Sequence, residues 1–371
     1  MTQARSMLPR TRYGRIGLAL GALLLALVPP FAPSYYTELG TYAMISAMLA
    51  LSLQLLVGCT GLVSLGHAAF YGLAAYTVYL ITPANQGLSI LITLPAAVIA
   101  AGLAALLVGS LSLRTKGFFF LMVTLAFGQM MFFLFHDTKL GGGTDGAFLS
   151  RPILSLFGWE MQLNRRQRPM ATYYVALGLL VAMYVGLVLL LRSLFGRVLE
   201  GIRVNEHRMQ ALGFNTYRYK LAAFVIAGLL AGVAGHMWAM HRGFVNPELI
   251  GWHRSAEALL MILLGGLGTL HGPIVGALAY TGLTELPQVM EEWKPFASIF
   301  NSIGLPKVGA FLQPLSERKL LLEGIVILLV VLVLPKGLSG IGMPRWLRDR
   351  IGGRAPARMT PASAAEVRPN G

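Results

Sequence analysis

The chain has 371 residues, 56% of them hydrophobic and only 12% charged, with a mean hydropathy of +0.66. A water-soluble domain carries about twice that charged fraction, and no soluble fold could hide this much apolar surface, so the composition leaves a multi-span membrane protein. The net charge of +15 would suit a nucleic-acid binder, but Lys and Arg gather at the ends of apolar runs and in the tails, with no aromatic-plus-basic platform apart from the spans. That is the positive-inside pattern, and it excludes nucleic acid as a partner.

In chain order, Met1 to Pro33 joins a basic head (Arg5, Arg10, Arg12, Arg15) to an apolar run from Ile16 to Val28. A cleaved signal peptide has a similar outline, but the small-residue cleavage site is poor and further spans follow, which predicts a first transmembrane helix. The next runs are Leu39–Val57, Leu62–Ile81, Leu88–Leu111, Phe118–Phe135, Tyr173–Leu191, Leu221–Met240, Ala256–Leu270, Pro273–Leu286 and Leu320–Leu334. The expectation is an all-α, polytopic protein of about ten transmembrane helices, at ~20 residues each. The runs either side of His271-Gly272 are short, and read as full tilted helices or as a broken pair meeting within the membrane.

Charge sets the expected sidedness. Basic clusters precede the first span, follow the fourth (Arg114, Lys116), follow the sixth, and follow the last (Lys336 to Arg358). An even number of spans with both termini cytoplasmic puts all four inside. The loop from Asp137 to Ala171 opposes this, since it carries Lys139, Arg151, Arg165, Arg166 and Arg168 on the outer side. The resulting division is a cytoplasmic segment over 1–15, a transmembrane domain over 16–343 and a cytoplasmic tail over 344–371, whose end, rich in Ala, Pro, Arg and Ser, reads as disordered. Pro287 to Ser316 is expected to be a polar outer loop. Cys59 is the only cysteine, so no disulfide within the chain and no thiolate metal site is possible.

Four stretches stand out. The first, GLVSLGHAAFYGLAAY from Gly61 to Tyr76, presents Gly61, Ser64, Gly66, Ala68, Ala69 and Gly72, with His67 among them. Small residues let helices approach closely in lipid, and they also mark where a span unwinds beside a substrate path. Either use needs the run inside the bundle, and a polar side chain at that depth is a functional candidate. The second, GGGTDG from Gly141 to Gly146, is a flexible turn or a backbone cup at an outer mouth, in which Gly142, Gly143 and Thr144 would shape the rim and Asp145 would face an ammonium or a docking protein.

The third, Gly196 to Lys220, is the longest charged interruption between apolar runs. Val198, Leu199, Ile202, Met209 and Leu212 recur at helical spacing, which predicts one amphipathic helix capped by Gly213. Such a helix lies on anionic lipid or presses its apolar face into a groove on a soluble partner. The fourth, LGGLGTLHGPIVG from Leu264 to Gly276, resembles a dinucleotide fingerprint only superficially, because no strand precedes it and no acid follows at the needed distance. It reads as a Gly-Pro break between membrane segments, at Gly265, Gly266 and Gly268.

The middles of the spans are nearly free of acids, with only Glu257 able to reach membrane depth, which disfavours a proton-driven carrier. His136 with Asp137, and His236 with His241, build no metal constellation. No GxSxG, HExxH or GxxxxGK[ST] is present, so neither hydrolysis nor ATP binding is expected of this chain, and no cofactor. Two classes remain: a self-sufficient carrier or channel, and the passive pore of a pump whose ATPase is a separate chain.

SLGHAAFYGLAAY, GGGTDG, GRVLEGIRVNEHRMQALGFNTYRYKLAAFVIAGLLAGVAG, GFVNPE and LLGGLGTLHGPIVGA, in this order, resemble the signature stretches of the permeases of bacterial branched-chain amino acid ABC importers, the LivM and LivH type, over about Leu39 to Gly340. The long central pattern favours the LivM side. The resemblance implies a bacterial inner-membrane subunit that pairs with a second, similar permease. It also implies two ATP-binding subunits on the cytoplasmic face and a periplasmic substrate-binding protein. It implies that Glu200, Arg203, Asn205, Glu206, Ala211, Leu212 and Gly213 belong to a segment coupling ATPase closure to the pore. The small-residue stretches themselves place the path at broken segments near Ser64, Gly66, His67, Gly72 and Gly265–Gly268. Two departures stand out: Gly201 where alanine is commoner, and a long 287–316 loop. Urea and short-amide importers use permeases of the same family, so their substrates stay open as an alternative, although GGGTDG looks closer to the amino acid group.

Overall fold

Apolar runs of this length must close their backbone hydrogen bonds internally, and they do so as helices. A computed structural model describes residues 33–83, 87–150, 167–267 and 269–292, two strand fragments at 155–156 and 159–160, and a few isolated positions. The expected first span, most of the Leu320–Leu334 run, the loop beyond Glu292 and the tail lie outside the described residues.

Helix α1 (Ser34–Gln54) runs on into a π-helical turn, Leu55–Thr60. Then come α2 (Ala68–Ile81), α3 (Ile90–Ser112) and α4 (Phe118–Asp137). After two 3-10 turns, strand β1 (Ala147–Phe148) precedes the small hairpin β2–β3 (Ser155–Leu156, Trp159–Glu160). Helices α5 (Gln167–Arg192), α6 (Leu194–Val204), α7 (Glu206–Ala211) and α8 (Thr216–Arg242) follow. Strand β4 (Phe244–Val245), α9 (Trp252–Gly265) and α10 (Gly272–Glu292) complete the described fold.

Five of these helices are long and apolar enough to cross a membrane: α1 with its π turn, α3, α4, α5 and α8. Two expected crossings are shorter. The run at 62–81 splits into an irregular stretch and the 14-residue α2, and α9 also has 14 residues. A helix of that length reaches ~21 Å, against ~30 Å of hydrocarbon. The expected outer loop also starts later, because α10 continues through Pro287 to Glu292.

Burial places α1 at the centre. Its apolar window is 94% buried, against 28%, 22% and 28% for α3, α4 and α5, whose Leu103, Leu107, Phe119, Met130 and Leu189 point outward. Surfaces that apolar face lipid or a partner. Around α1 the helices approach through small residues: Gly228 and Gly232 of α8 lie on Ala105 and Ala101 of α3, the arrangement that lipid-embedded helices favour.

Contacts fix the directions. Tyr35 at the start of α1 donates to Glu285 of α10 (2.5 Å), while Gln54 at its end donates to the carbonyls of Leu267 and Thr269 in the α9–α10 turn (2.9 and 3.3 Å), so α1 and α10 are antiparallel. Tyr217 of α8 donates to the Ser110 carbonyl of α3 (2.9 Å). The α3–α4 turn with Arg114 and Lys116, the basic α6–α7 segment and the α9–α10 turn therefore share one end. At the other end β1 pairs antiparallel with β4, Ala147 opposite Val245 and Phe148 opposite Phe244.

Candidate functional site

The basic segment is not the single helix its periodicity predicts. It breaks at Asn205, which is extended (φ −158°, ψ 102°) and whose side chain accepts from the Arg208 amide (3.0 Å), capping α7. A short amide that satisfies an orphan helix donor competes with continued winding, and here it wins. The apolar positions part accordingly. Val198, Leu199 and Ile202 are buried by α6 against α5, α8 and the π turn. Met209 folds back over Gly201, where a Cβ would stand 2.6 Å from its Sδ, so the glycine accommodates the α6–α7 bend. Leu212 faces outward at 65% exposure, with Val204 at 70%. Gly213 does end α7, with φ +87°; its amide and that of Phe214 bond the Gln210 and Met209 carbonyls (2.9 and 3.1 Å), a Schellman closure.

Side chains tie this elbow to the bundle. Arg203 Nη1 donates to the Gly58 carbonyl in the π turn. Glu206 Oε1 accepts from Lys220 Nζ (2.6 Å) and from the Thr216 hydroxyl (3.0 Å), both in the first turns of α8; Thr216 accepts in turn from Gln210 (3.1 Å). Partial burial pulls the Glu206 carboxyl upward, but the hydrogen bond and charge of Lys220, the Thr216 hydroxyl and the charge of Lys116 outweigh it and hold the group below its ordinary value. Glu200 is half-buried on α6, and Ala211 ends α7 exposed beside Leu212.

Ser64, Gly66 and His67 are buried where the chain unwinds between the π turn and α2, and Gly72 is buried in the second turn of α2. His67 Nε2 lies 2.8 Å from the Ser52 hydroxyl, whose oxygen also stands 2.6 Å from the Leu49 carbonyl. The Ala68 amide is capped by Ser255 Oγ of α9 (2.8 Å). A Cβ on Gly66 would overlap the Thr124 carbonyl of α4, and one on Gly72 would overlap Ile250. These positions are closely packed against α4, α9 and the 247–250 turn. At the second break, Gly265 packs on the Gly272 backbone and Gly266 adopts φ +110°; Gly268 lies outside the described residues. Gln54 joins the two breaks, since the π turn begins at the next residue and its amide holds the 267 and 269 carbonyls.

At the opposite end, Gly142 separates two 3-10 turns, Lys139–Gly141 and Gly143–Asp145, the second holding Thr144; the stretch is docked on GFVNPE through the β1–β4 pair and a Leu149-to-Gly243 backbone bond (3.0 Å). Asp145 is exposed there.

Sequence reasoning missed a polar cluster nearby. Arg254 Nη1 donates to Glu257 Oε2 (2.7 Å) and to the Tyr42 hydroxyl (3.1 Å), and its guanidinium stands 5.2 Å from the centre of the Trp238 ring. The usable signal was two opposite charges three residues apart entering a short apolar run. Gln54, a lone amide in an apolar run, was the other missed signal. Among the described residues no group of three or more His, Cys, Asp or Glu could hold a metal.

Residues 35–331 match the family described as "Branched-chain amino acid transport system / permease component". The chain is 34% identical over 291 residues to the high-affinity branched-chain amino acid transport permease LivM of Escherichia coli, covering 73% of this chain and 68% of that one. It is 29% identical over 347 residues to the autoinducer 2 import permease LsrC of Yersinia enterocolitica (86% and 88%). It is 28% identical over 148 residues to the LivH permease of Escherichia coli (40% of each). No solved structure matches the chain.

Proposed function

We propose a role from a premise the matches supply: the chain belongs to the branched-chain amino acid transport system permease component family, as a LivM-type, multi-pass membrane protein. Its relatives are transport permeases, and one moves a cargo that is not an amino acid. On this reading the chain imports branched-chain or related amino acids across a bacterial inner membrane. It forms half of the pore beside a second, LivH-like permease, with two ATP-binding subunits below and a periplasmic binding protein above. Both termini lie in the cytoplasm.

The observation that carries this is the α6–α7 elbow. It is clamped to α1 by Arg203 and to α8 by Glu206, yet leaves Val204, Ala211 and Leu212 uncovered among cations. A stiff element with an exposed apolar tip suits docking on a partner that pushes. A push on α6–α7 reaches the π turn through Arg203, and Gln54 passes it to the α9–α10 break. The pathway near Ser64–Gly72 and Gly265–Gly268 then opens alternately to the two sides.

The test is reconstitution with the ATP-binding, LivH-like and binding-protein partners in proteoliposomes. Leucine uptake that requires ATP is expected, with urea transported poorly. Leu212→Asp is expected to abolish ATPase co-purification. Uptake without any ATP-binding subunit would point instead to a self-sufficient carrier, and uptake of urea in place of leucine to the short-amide branch.

A further inference from the structure

The Arg254–Glu257 pair has no role in the elbow or the breaks, and its surroundings are unusual. Tyr42 lies two turns inside α1, ~12 Å from its end, so the pair sits at depth, where ionised side chains are costly and mark function. The pair does not use up its own bonding capacity. Among the described residues Arg254 bonds through Nη1 alone and Glu257 through Oε2 alone, and the two side chains keep 24% and 29% of their surface exposed. The other guanidinium nitrogens and Glu257 Oε1 therefore keep bonding capacity to spare among the described residues. Trp238, 9% exposed and lying against the Arg254 guanidinium, has an Nε1–H without a partner among the described residues.

A donor fork, a carboxylate oxygen and an unused indole N–H within one cluster match one kind of small molecule. We propose that Arg254, Glu257 and Trp238 form a subsite for an α-amino acid zwitterion, Arg254 taking the carboxylate and Glu257 the ammonium. A planar fork suits a carboxylate and a carboxylate oxygen suits an ammonium, while the Trp238 ring, with Arg254 at 5.2 Å and Arg242 at 5.5 Å from its centre, holds the fork in place. An uncharged amide such as urea gains neither contact. The proposal rests on the amino acid reading above and names the residues that would select for it.

The test is equilibrium binding of labelled leucine to the purified permease pair in nanodiscs, without the binding protein. The wild type is expected to bind leucine, and leucinol and 4-methylvalerate, each lacking one charge, to compete poorly. R254M/E257L replaces the pair by apolar side chains of similar size, a change that folds commonly tolerate. It is expected to co-purify with its partners and to weaken leucine binding by about 10-fold or more. If it fails to assemble, E257Q, of the same shape, is expected to show the same loss. Unchanged binding in the assembled variant, equal competition by the one-charge analogues, or no leucine binding by a pair that imports leucine overturns the subsite alone. A wild-type importer that moves urea and not leucine overturns the functional reading and the subsite together.

Discussion

Replacing Glu206 by Gln tests the elbow most directly. One oxygen of Glu206 holds both Lys220 and Thr216, so the substitution leaves an ammonium with 13% of its side chain exposed and no anion beside it. A hydrogen bond to a charged group contributes about 1.5–3 kcal/mol, and stranding a fully buried charge costs about 3–5. Because this pair is partly exposed, the lower range applies, which converts to roughly 10- to 150-fold in the equilibrium between docked and undocked α7. Hydrogen exchange reads it out at the amides of Leu212, Gly213 and Phe214, which bond the Arg208, Gln210 and Met209 carbonyls. They are expected to exchange faster by that factor, with uptake falling while α3 and α8 stay protected. Acid should act the same way. Glu206 is held below its ordinary value, so its contribution is complete above about pH 4.5 and is lost as pH falls through the folded-state value. Wild-type exchange in α7 together with wild-type uptake in E206Q would refute the clasp.

Other expectations follow from single contacts. Gly66→Ala sets a Cβ against the Thr124 backbone, so the upper end of the overpacking range, about 3 kcal/mol, and poor recovery of folded protein are expected; Gly178→Ala, with nothing within 4 Å, is expected to be neutral or stabilising by up to about 1 kcal/mol in thermal unfolding. Asn205→Ala removes the α7 cap and is expected to cost about 1 kcal/mol, seen as faster exchange confined to α7. Gln54→Leu frees the 267 and 269 carbonyls while leaving the elbow intact. ATPase co-purification is expected to persist while uptake per ATP hydrolysed falls, and unchanged coupling would remove Gln54 from the transmission path.

What the sequence determined by itself was local. Hydropathy placed the helices, because a backbone in lipid can bond only within its own segment. Gly213 was legible as a helix stop, since only a residue without a Cβ turns left-handed at little cost, and Gly265–Gly266 as a break for a similar reason. The tertiary structure decided what periodicity cannot carry. Asn205 splits a run whose apolar spacing reads as one helix, because its side chain caps α7 while Ile202 is buried in the bundle and Leu212 is left exposed. Gln54 meets residues 267 and 269, Arg203 meets Gly58, and Arg254 meets Tyr42, each pair more than a hundred positions apart in the chain. Those pairings exist only once α1 is surrounded, since each partner is a carbonyl or side chain whose direction the packed helices set. The sequence therefore named most of the pieces, and the crowding around one buried helix chose which of them touch.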